Sequence, residues 1–582
     1  MRRLALNGAS TLIARDDEAA RAALAGMKLP AGRVVGTAAG SLAVADGERE
    51  IVPIEEALGA AALSRLEEQA YGMADALLDA QHDGAQKDIL TSAYHEIATG
   101  SLRVLAMHEV LMQGDVALAL MDQPMMAAFD PAGENGAEPP PSVLRRIRSL
   151  LRPARRGLRL ARQLPAAARA AVRLAGRKVA IVTCNDSGTG INLRPLKAIL
   201  PELDALKVQI LLLTEVSLVA EDPDLSRRNV LTIDGDLPVF PVTSASPKWQ
   251  SVDAAGSLPQ TLVTALDRSL AWGWPKYVTR FDRGQRVLGI AGRLCSIRAV
   301  LSIPETLPVS IAAGLWARAR SLPWSGHFGA TIGRCPDHYF FPASEHLAYG
   351  GQLADHIAST GKDRASIHVV GSPAFDAHLG RDRAADRTAV EADFPRLAGN
   401  RLIVVTSEAF PDPATELVPI LQAVTQIAGA HVIFKLHPDD DPAFMQKMTE
   451  RAGVADRIDM VHRYPLGQLL GAADLLVSVM STVIIEAAVV GTPTLVCDFS
   501  GKSAVLDFVG EGLCLGCTNP AEVRRQAEAI LFDPATAELA NRKMHDGIER
   551  FNGPNDGHSA RRIARLTADR VDAGAAAEGL NT

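Results

Sequence analysis

The chain reads as α/β: two Rossmann-like domains in tandem, preceded by an extra N-terminal α/β unit and a basic amphipathic helix. Three observations predict this. From residue 177 an apolar strand, KVAIVTC, runs into a glycine-containing turn and then a helix, LRPLKAIL, which is how a doubly wound sheet opens. The alternation restarts at RLIVVTSEA (401–409) and continues through HVIFKLHP, IDMVH, DLLVSVMS and TPTLVCDF, with helices expected at 413–429, 441–453, 465–473 and 483–490. At 582 residues, 47% hydrophobic and 22% charged, the chain is globular in composition and too long for one core.

Taken in order, residues 1–126 mix short apolar strands (RLALNGASTLIA, GRVVGT) with a helical stretch from IEEALGAA onward, a small α/β extension. Residues 127–142, AAFDPAGENGAEPPPS, lack periodicity and read as a linker. Residues 143–176 place Val143, Ile147, Leu150, Leu151, Ala154, Leu158 and Ala161 at helical spacing with arginines on the other face, interrupted near Pro153 and Pro165. Residues 177–385 form the first Rossmann-like domain, with further strands at QILLLTEV, RAVLSI, DHYFFPA and SIHVVGSP. Residues 386–572 form the second, and 573–582, rich in alanine and glycine, read as a disordered tail.

The net charge is −7, yet 143–178 carries eleven arginines, one lysine and no acid. With an apolar stripe and no interleaved aromatics, that arm fits an anionic membrane surface better than nucleic acid. A helix packed on its own protein is the other reading. The start, MRRLALNGAS, is too briefly apolar for a secretory signal, and no run of about 18 apolar residues occurs. The six cysteines are scattered, and Cys514-x-x-Cys517 has no second pair to complete a zinc site. These features predict a cytoplasmic protein, peripherally associated with the inner face of the cell membrane.

Ligands of open α/β sheets bind at the carboxyl ends of strands. In VIFKLHPDDD (432–441) an apolar strand ends on the cation-capable pair Lys435 and His437, and Pro438 stops the pairing. In ADLLVSVMSTVIIEAAVVGTP (473–493) a strand ends at Ser478, and a helix starts just after Ser481 and Thr482. Amides, hydroxyls and the positive end of a helix dipole suit a phosphate there. A strand-end histidine is also commonly satisfied by backbone, and Ser or Thr at a helix start is commonly a plain N-cap. Their joint occurrence in one sheet favours an anion such as a diphosphate, with Glu486 one turn on to accept from ribose hydroxyls. Asp441 is expected to cap the helix opened by Pro442, which makes magnesium at the acid run unfavoured. The turn Asn185–Gly190 contains Gly188 and Gly190 but not a G-x-G-x-x-G spacing, so a nicotinamide cofactor is disfavoured.

The K-x-H-P strand end, the S-x-x-S-T-x-x-x-E-A-x-x-x-G-T-P block and the closing NDGHSARRIARL (555–566) resemble the bacterial capsule polysaccharide biosynthesis transferases. This group includes polysialyl-, Kdo- and CDP-glycerol-dependent polymerases of the two-domain GT-B fold. The resemblance covers 177–570 and implies that His437, Ser478, Ser481 and Thr482 grip the donor's phosphates. SGHFG and IHVVGSPAFDAH are similar to the family's N-terminal run, although His327-Phe328-Gly329 replaces the usual His-Gly. By that resemblance the base is His327, as in the CDP-glycerol branch, or a carboxylate, Asp186 or Glu408, as in the sialyl and Kdo branches.

The activity this implies is a metal-independent glycosyltransferase without a cofactor, using a nucleotide-activated sugar (a CMP-sugar favoured) to extend or modify a surface polysaccharide. Its partners are then a nucleotide-sugar donor, a glycan or lipid-linked glycan acceptor and an anionic membrane through 143–178. A CDP-glycerol-type polyol-phosphate transferase, a UDP-sugar 2-epimerase-like enzyme and an inactive glycan-binding scaffold remain open.

Overall fold

The computed structural model describes residues 2–6, 9–15, 33–36, 51–53, 58, 60–81, 84–112, 116–121, 125, 128–129, 169–184, 193–214, 223–232, 246–249, 252, 256–328, 341–407, 413–438, 440–499 and 506–578. Three sheets organise them.

The first sheet is built from β1 (Arg2–Leu6), β2 (Ala9–Arg15), β3 (Arg33–Gly36), β4 (Ile51–Pro53) and β5 (Val116–Met121), in the order β1-β2-β5-β3-β4. β1 and β2 pair antiparallel, and the other pairings are parallel. Helices Ala60–Asp79, Gly84–Ser92 and Tyr94–Met112 accompany it, so the N-terminal unit is α/β as expected. Its helices do not stand apart from the rest of the chain. Leu77, Leu90, Val104 and Met107 share one core with Leu266, Leu270 and Trp274 of the 35-residue helix Gln260–Leu294.

The second sheet contains β6 (Lys178–Cys184), β7 (Gln209–Thr214), β8 (Val230–Thr232), β9 (Ser296–Ile303), β10 (Trp324–His327), β11 (Glu345–Ala348) and β12 (Ile367–Val369). All its strands are parallel, in the order β12-β11-β10-β9-β6-β7-β8. The third holds β13 (Arg401–Thr406), β14 (Ala430–Lys435), β15 (Ile458–Val461), β16 (Leu475–Ser478), β17 (Thr494–Cys497) and β18 (Leu515–Cys517), also parallel, in the order β15-β14-β13-β16-β17-β18. Val179, Ile181 and Val182, and likewise Leu402 to Val405, are fully buried, because helices cover both faces of these sheets. In each sheet the chain first winds one way and then the other, which is the tandem Rossmann-like arrangement of a GT-B chain. The direction reverses between β6 and β9 in one sheet and between β13 and β16 in the other.

Three expectations need correction. The described end of the run DHYFFPA, residues 341–343, is not strand: β11 starts at Glu345, and Phe341 is a buried plug whose ring lies 5.8 Å from that of Phe328; residues 337–340 lie outside the described residues. The ring packs among Phe328, His346 and His356, and Pro342 has no N–H for a ladder. Second, the short strand β18 was not anticipated. Third, the tail expected to be disordered from 573 is helical to Glu578, as part of helix Ser559–Glu578. That helix crosses back from the third sheet's unit and packs on the second: Ile563 and Ala564 meet Leu196, Ile199, Leu347 and Val370, and Val571 meets Ala180 and Ala299. A division that leaves this helix with the third sheet therefore cuts through a core.

The crossing is pinned by hydrogen bonds. Ser559 donates from its amide and hydroxyl to Asp376 (2.8 and 2.7 Å), Arg562 Nε donates to the Val370 carbonyl (2.8 Å), and the Ser372 amide donates to Asn552 (2.8 Å). Gly371, at φ +79°, has Ser559 Oγ only 2.3 Å from where a Cβ would stand, so only glycine fits beneath this strap. Of the basic segment, residues 169–174 are helical and bury Ala170 and Leu174. Residues 143–168, on which the membrane expectation rests, lie outside the described residues.

Candidate functional site

The third sheet's switch point lies between the paired strands β13 and β16, where the direction of winding reverses. β13 is central, with β14 on one side and β16 on the other; Val405 pairs with Phe434 and with Val477. His437 and Ser478 therefore flank one strand at the same edge, roughly 10 Å apart by two strand spacings. That edge is where the two sequence motifs converge.

The residues that join them were not singled out from sequence. Thr406 Oγ1 donates to Ser478 Oγ (2.8 Å), both side chains being buried, and this bond bridges the switch point itself. On the other flank the His437 amide donates to Ser407 Oγ (2.7 Å) and Asp440 Oδ2 (2.8 Å), while the Ser407 hydroxyl donates to the same Asp440 oxygen. Burial pushes the Asp440 carboxyl up, against the opposing pull of the Ser407 and His437 hydrogen bonds. This knot turns the chain at Pro438 and leaves His437 half-buried at the crevice. Thr406 ends β13 and Ser407 follows it in the run VVTSEA, so the rule that ligands bind at the carboxyl ends of strands reaches them as well.

Lys435 is engaged by backbone carbonyls. Its Nζ donates to the carbonyls of Leu436 (2.7 Å) and His462 (2.8 Å), is 8% exposed, and binds the ends of β14 and β15 together. Burial pulls its pKa down, partly opposed by Asp440. An ammonium so held braces the strand ends at this edge.

At the start of helix Val483–Val490, Ser481 Oγ accepts from the Val483 amide (3.3 Å), and Thr482 holds the cap position without a side-chain cap bond. Gly491, at φ +88°, closes the helix in the left-handed conformation expected of a C′ residue. Asp441 accepts from the Ala443 amide (2.9 Å) as the N-cap of helix Pro442–Arg451, as the sequence suggested. Asp441→Ala should cost about 1 kcal/mol in urea unfolding without changing ligand affinity.

Glu486 is buried, as one turn into an apolar helix requires, and it reaches across to the second sheet's unit. Its Oε2 accepts from Arg194 Nη2 (2.7 Å) and from His378 Nε2 (2.6 Å). Burial alone would raise its pKa, but the His378 hydrogen bond and the Arg194 charge outweigh it and hold the carboxyl below its usual value. Arg194 opens helix Leu193–Ala205, and His378 lies in the crossover between the sheets. Neither was picked out from sequence.

On the second sheet's edge, His327 ends β10 and is 0% exposed. Burial pushes its imidazole down to about 4, opposed by the Gly371 backbone, which faces the ring without meeting full hydrogen-bond geometry at either nitrogen. The ring is thus unprotonated at neutral pH, as a base must be, but has no exposed surface here. Beside it Glu305 and His346 straddle Gly326, with Oε1 and Nδ1 3.3 Å apart. Asp186, Gly188, Gly190 and Glu408 lie outside the described residues. Among the described residues, no group of three or more His, Cys, Asp or Glu is placed to hold a metal ion. No described helix is long and apolar enough to cross a membrane.

At this edge a half-buried histidine and the start of helix Val483–Val490 flank the buried Thr406–Ser478 pair. No curated protein sequence matches the chain. Among solved structures, it is similar to a glycosyltransferase from Rickettsia africae (9% identity, TM-score 0.46, covering 68% of this chain and 99% of that one). It is also similar to Anabaena Alr3699/HepE in complex with UDP and glucose (14%, 0.45, 68% and 100%) and to a putative UDP-N-acetylglucosamine 2-epimerase from Listeria monocytogenes (18%, 0.45, 67% and 95%). Similarity at this level assigns no activity to this chain. The family described as UDP-N-acetylglucosamine 2-epimerase matches residues 342–567, a span that holds the whole third-sheet edge but less than half of the chain.

Proposed function

We propose that the chain is a nucleotide-sugar enzyme that seats the diphosphate of a UDP-sugar over the β13–β16 crevice and transfers the sugar to a glycan hydroxyl. The observation that carries this reading is the convergence at one switch point of His437, the Thr406–Ser478 pair and the Ser481–Thr482 helix start. In such a site the imidazole and the helix's amides and hydroxyls stabilise the negative charge that grows on the leaving phosphate as the anomeric bond breaks. Asp186, Glu408 or His327 would take the acceptor proton. The preference for a CMP-sugar drawn from sequence finds no support, and the family match to the epimerases favours a uridine nucleotide. Docking of 143–178 on an anionic membrane and a lipid-linked acceptor belong to the same proposal.

Calorimetric titration with UDP tests it. The wild type should bind, and His437→Ala should lose about 10- to 100-fold, the worth of one charge-assisted hydrogen bond. A wild type indifferent to UDP, or an unaffected variant, would overturn the reading. The family match also favours a second reading, 2-epimerisation of a UDP-N-acetylhexosamine. Conversion of UDP-N-acetylglucosamine to its 2-epimer without any acceptor would establish that one over transfer.

A further inference from the structure

Glu486 has an arrangement that simple pairing does not require. Both of its bonds fall on one oxygen: Arg194 Nη2 at 2.7 Å and His378 Nε2 at 2.6 Å converge on Oε2, and Oε1 takes neither. The two donors lie 3.1 Å apart, and His378, 7% exposed, is held by its place in the crossover and by the Gly467 backbone against Nδ1. Nδ1 itself has no hydrogen-bond partner. The tautomer with its proton on Nε2 is therefore the one the site uses, since that nitrogen must donate. Arg194 adds charge but is partly exposed (38% of its side chain), whereas His378 is the buried, orientation-setting donor.

We infer that His378 is a positioning residue of the nucleoside subsite: by clamping Oε2 of Glu486 together with Arg194, it leaves Oε1 as the acceptor for the ribose hydroxyls of a bound nucleoside diphosphate. The inference rests on the nucleotide reading above and adds to it a residue outside the third sheet. His378 belongs to the segment linking the two Rossmann-like units, and Arg194 to the second sheet's first helix. The ribose acceptor is thus oriented only when the two units stand as they do here. A carboxylate free to rotate would share its hydrogen bonds between both oxygens and water, and would lose its discrimination for a hydroxyl held at one position.

The test compares UDP with 2′,3′-dideoxy-UDP, titrated calorimetrically against wild type, His378→Phe and His378→Gln, each first shown by thermal melting to be folded. The wild type should prefer UDP over the dideoxy nucleotide by about tenfold, the worth of roughly one hydrogen bond. His378→Phe keeps the ring volume and removes the donor, so its affinity for UDP should fall to nearly that for the dideoxy nucleotide, which itself should change little. His378→Gln, whose amide can donate to Oε2, should restore part of the preference. Equal weakening of both nucleotides by His378→Phe, an undiminished preference in that variant, or no preference in the wild type would each overturn the inference while leaving UDP binding intact. A wild type that binds neither nucleotide would overturn the nucleotide reading itself.

Discussion

Between pH 6.5 and pH 4 the protein should lose about 3 kcal/mol of stability through one side chain, His327. The imidazole is 0% exposed, and burial holds its pKa down at about 4, well under the 6.5 of an unperturbed histidine. The unfolded chain therefore takes up a proton at this residue before the folded one does. Above the unfolded value the ring is neutral in both states and stability is fully present. It is lost as the pH falls through the window, and below about 4 both states are protonated and the loss stops growing. Urea unfolding at pH 7.5 and pH 4, for wild type and the non-titrating His327→Gln, isolates the effect, because other acid-labile groups are common to both proteins. The variant should lose about 3 kcal/mol less than the wild type over that interval. Parallel losses would mean that the ring gains a partner or water in solution.

Gly314→Ala should be strongly destabilising to the second sheet's unit. Gly314 lies in helix Pro308–Arg318, and a Cβ there would stand 2.0 Å from two ring carbons of Trp324. The indole cannot swing aside: it is 1% exposed, begins β10, and donates from Nε1 to Ser302 Oγ (2.9 Å) on β9. Overpacking against a flexible neighbour costs about 1–3 kcal/mol, and a rigid buried ring puts this case at or beyond the upper end. The melting temperature should fall by roughly 6–12 °C for a unit of this size, or the protein should fail to accumulate in soluble form. Adding Trp324→Leu should recover part of the loss, since the smaller side chain admits the methyl. A single variant melting within about 2 °C of wild type would show that the helix can shift away from the strand.

These two positions bear on how much of the molecule could be read from its residues. An alternation of apolar runs and helices was enough to place β6, β13, β14 and β16 and to find helix Val483–Val490 at its observed limits. Strand ends marked by proline, serine or glycine announce themselves locally. Phe341 escaped the pattern because an aromatic residue favours a strand and a buried plug alike, and only the neighbours Phe328 and His346 decide between them. The last helix could be read as a helix, but not its destination. Packing on the second sheet depends on residues more than 180 positions away, such as Val370 and Asp376. Lys435 illustrates the same limit: its position at a strand end was legible, but its two carbonyl partners were not.

Sequence alone determined that this chain is a tandem of doubly wound sheets with polar, phosphate-compatible residues at the ends of β14 and β16, because strand periodicity and helix starts are properties of a few consecutive residues. Tertiary structure decided which of those residues meet. The order of strands puts Thr406 between the two motifs and against Ser478, and the crossover brings His378 and Arg194 to Glu486 from 108 and 292 residues away. Hydrogen bonds act over about 3 Å, so partners so far apart in the chain are chosen by packing and not by spacing.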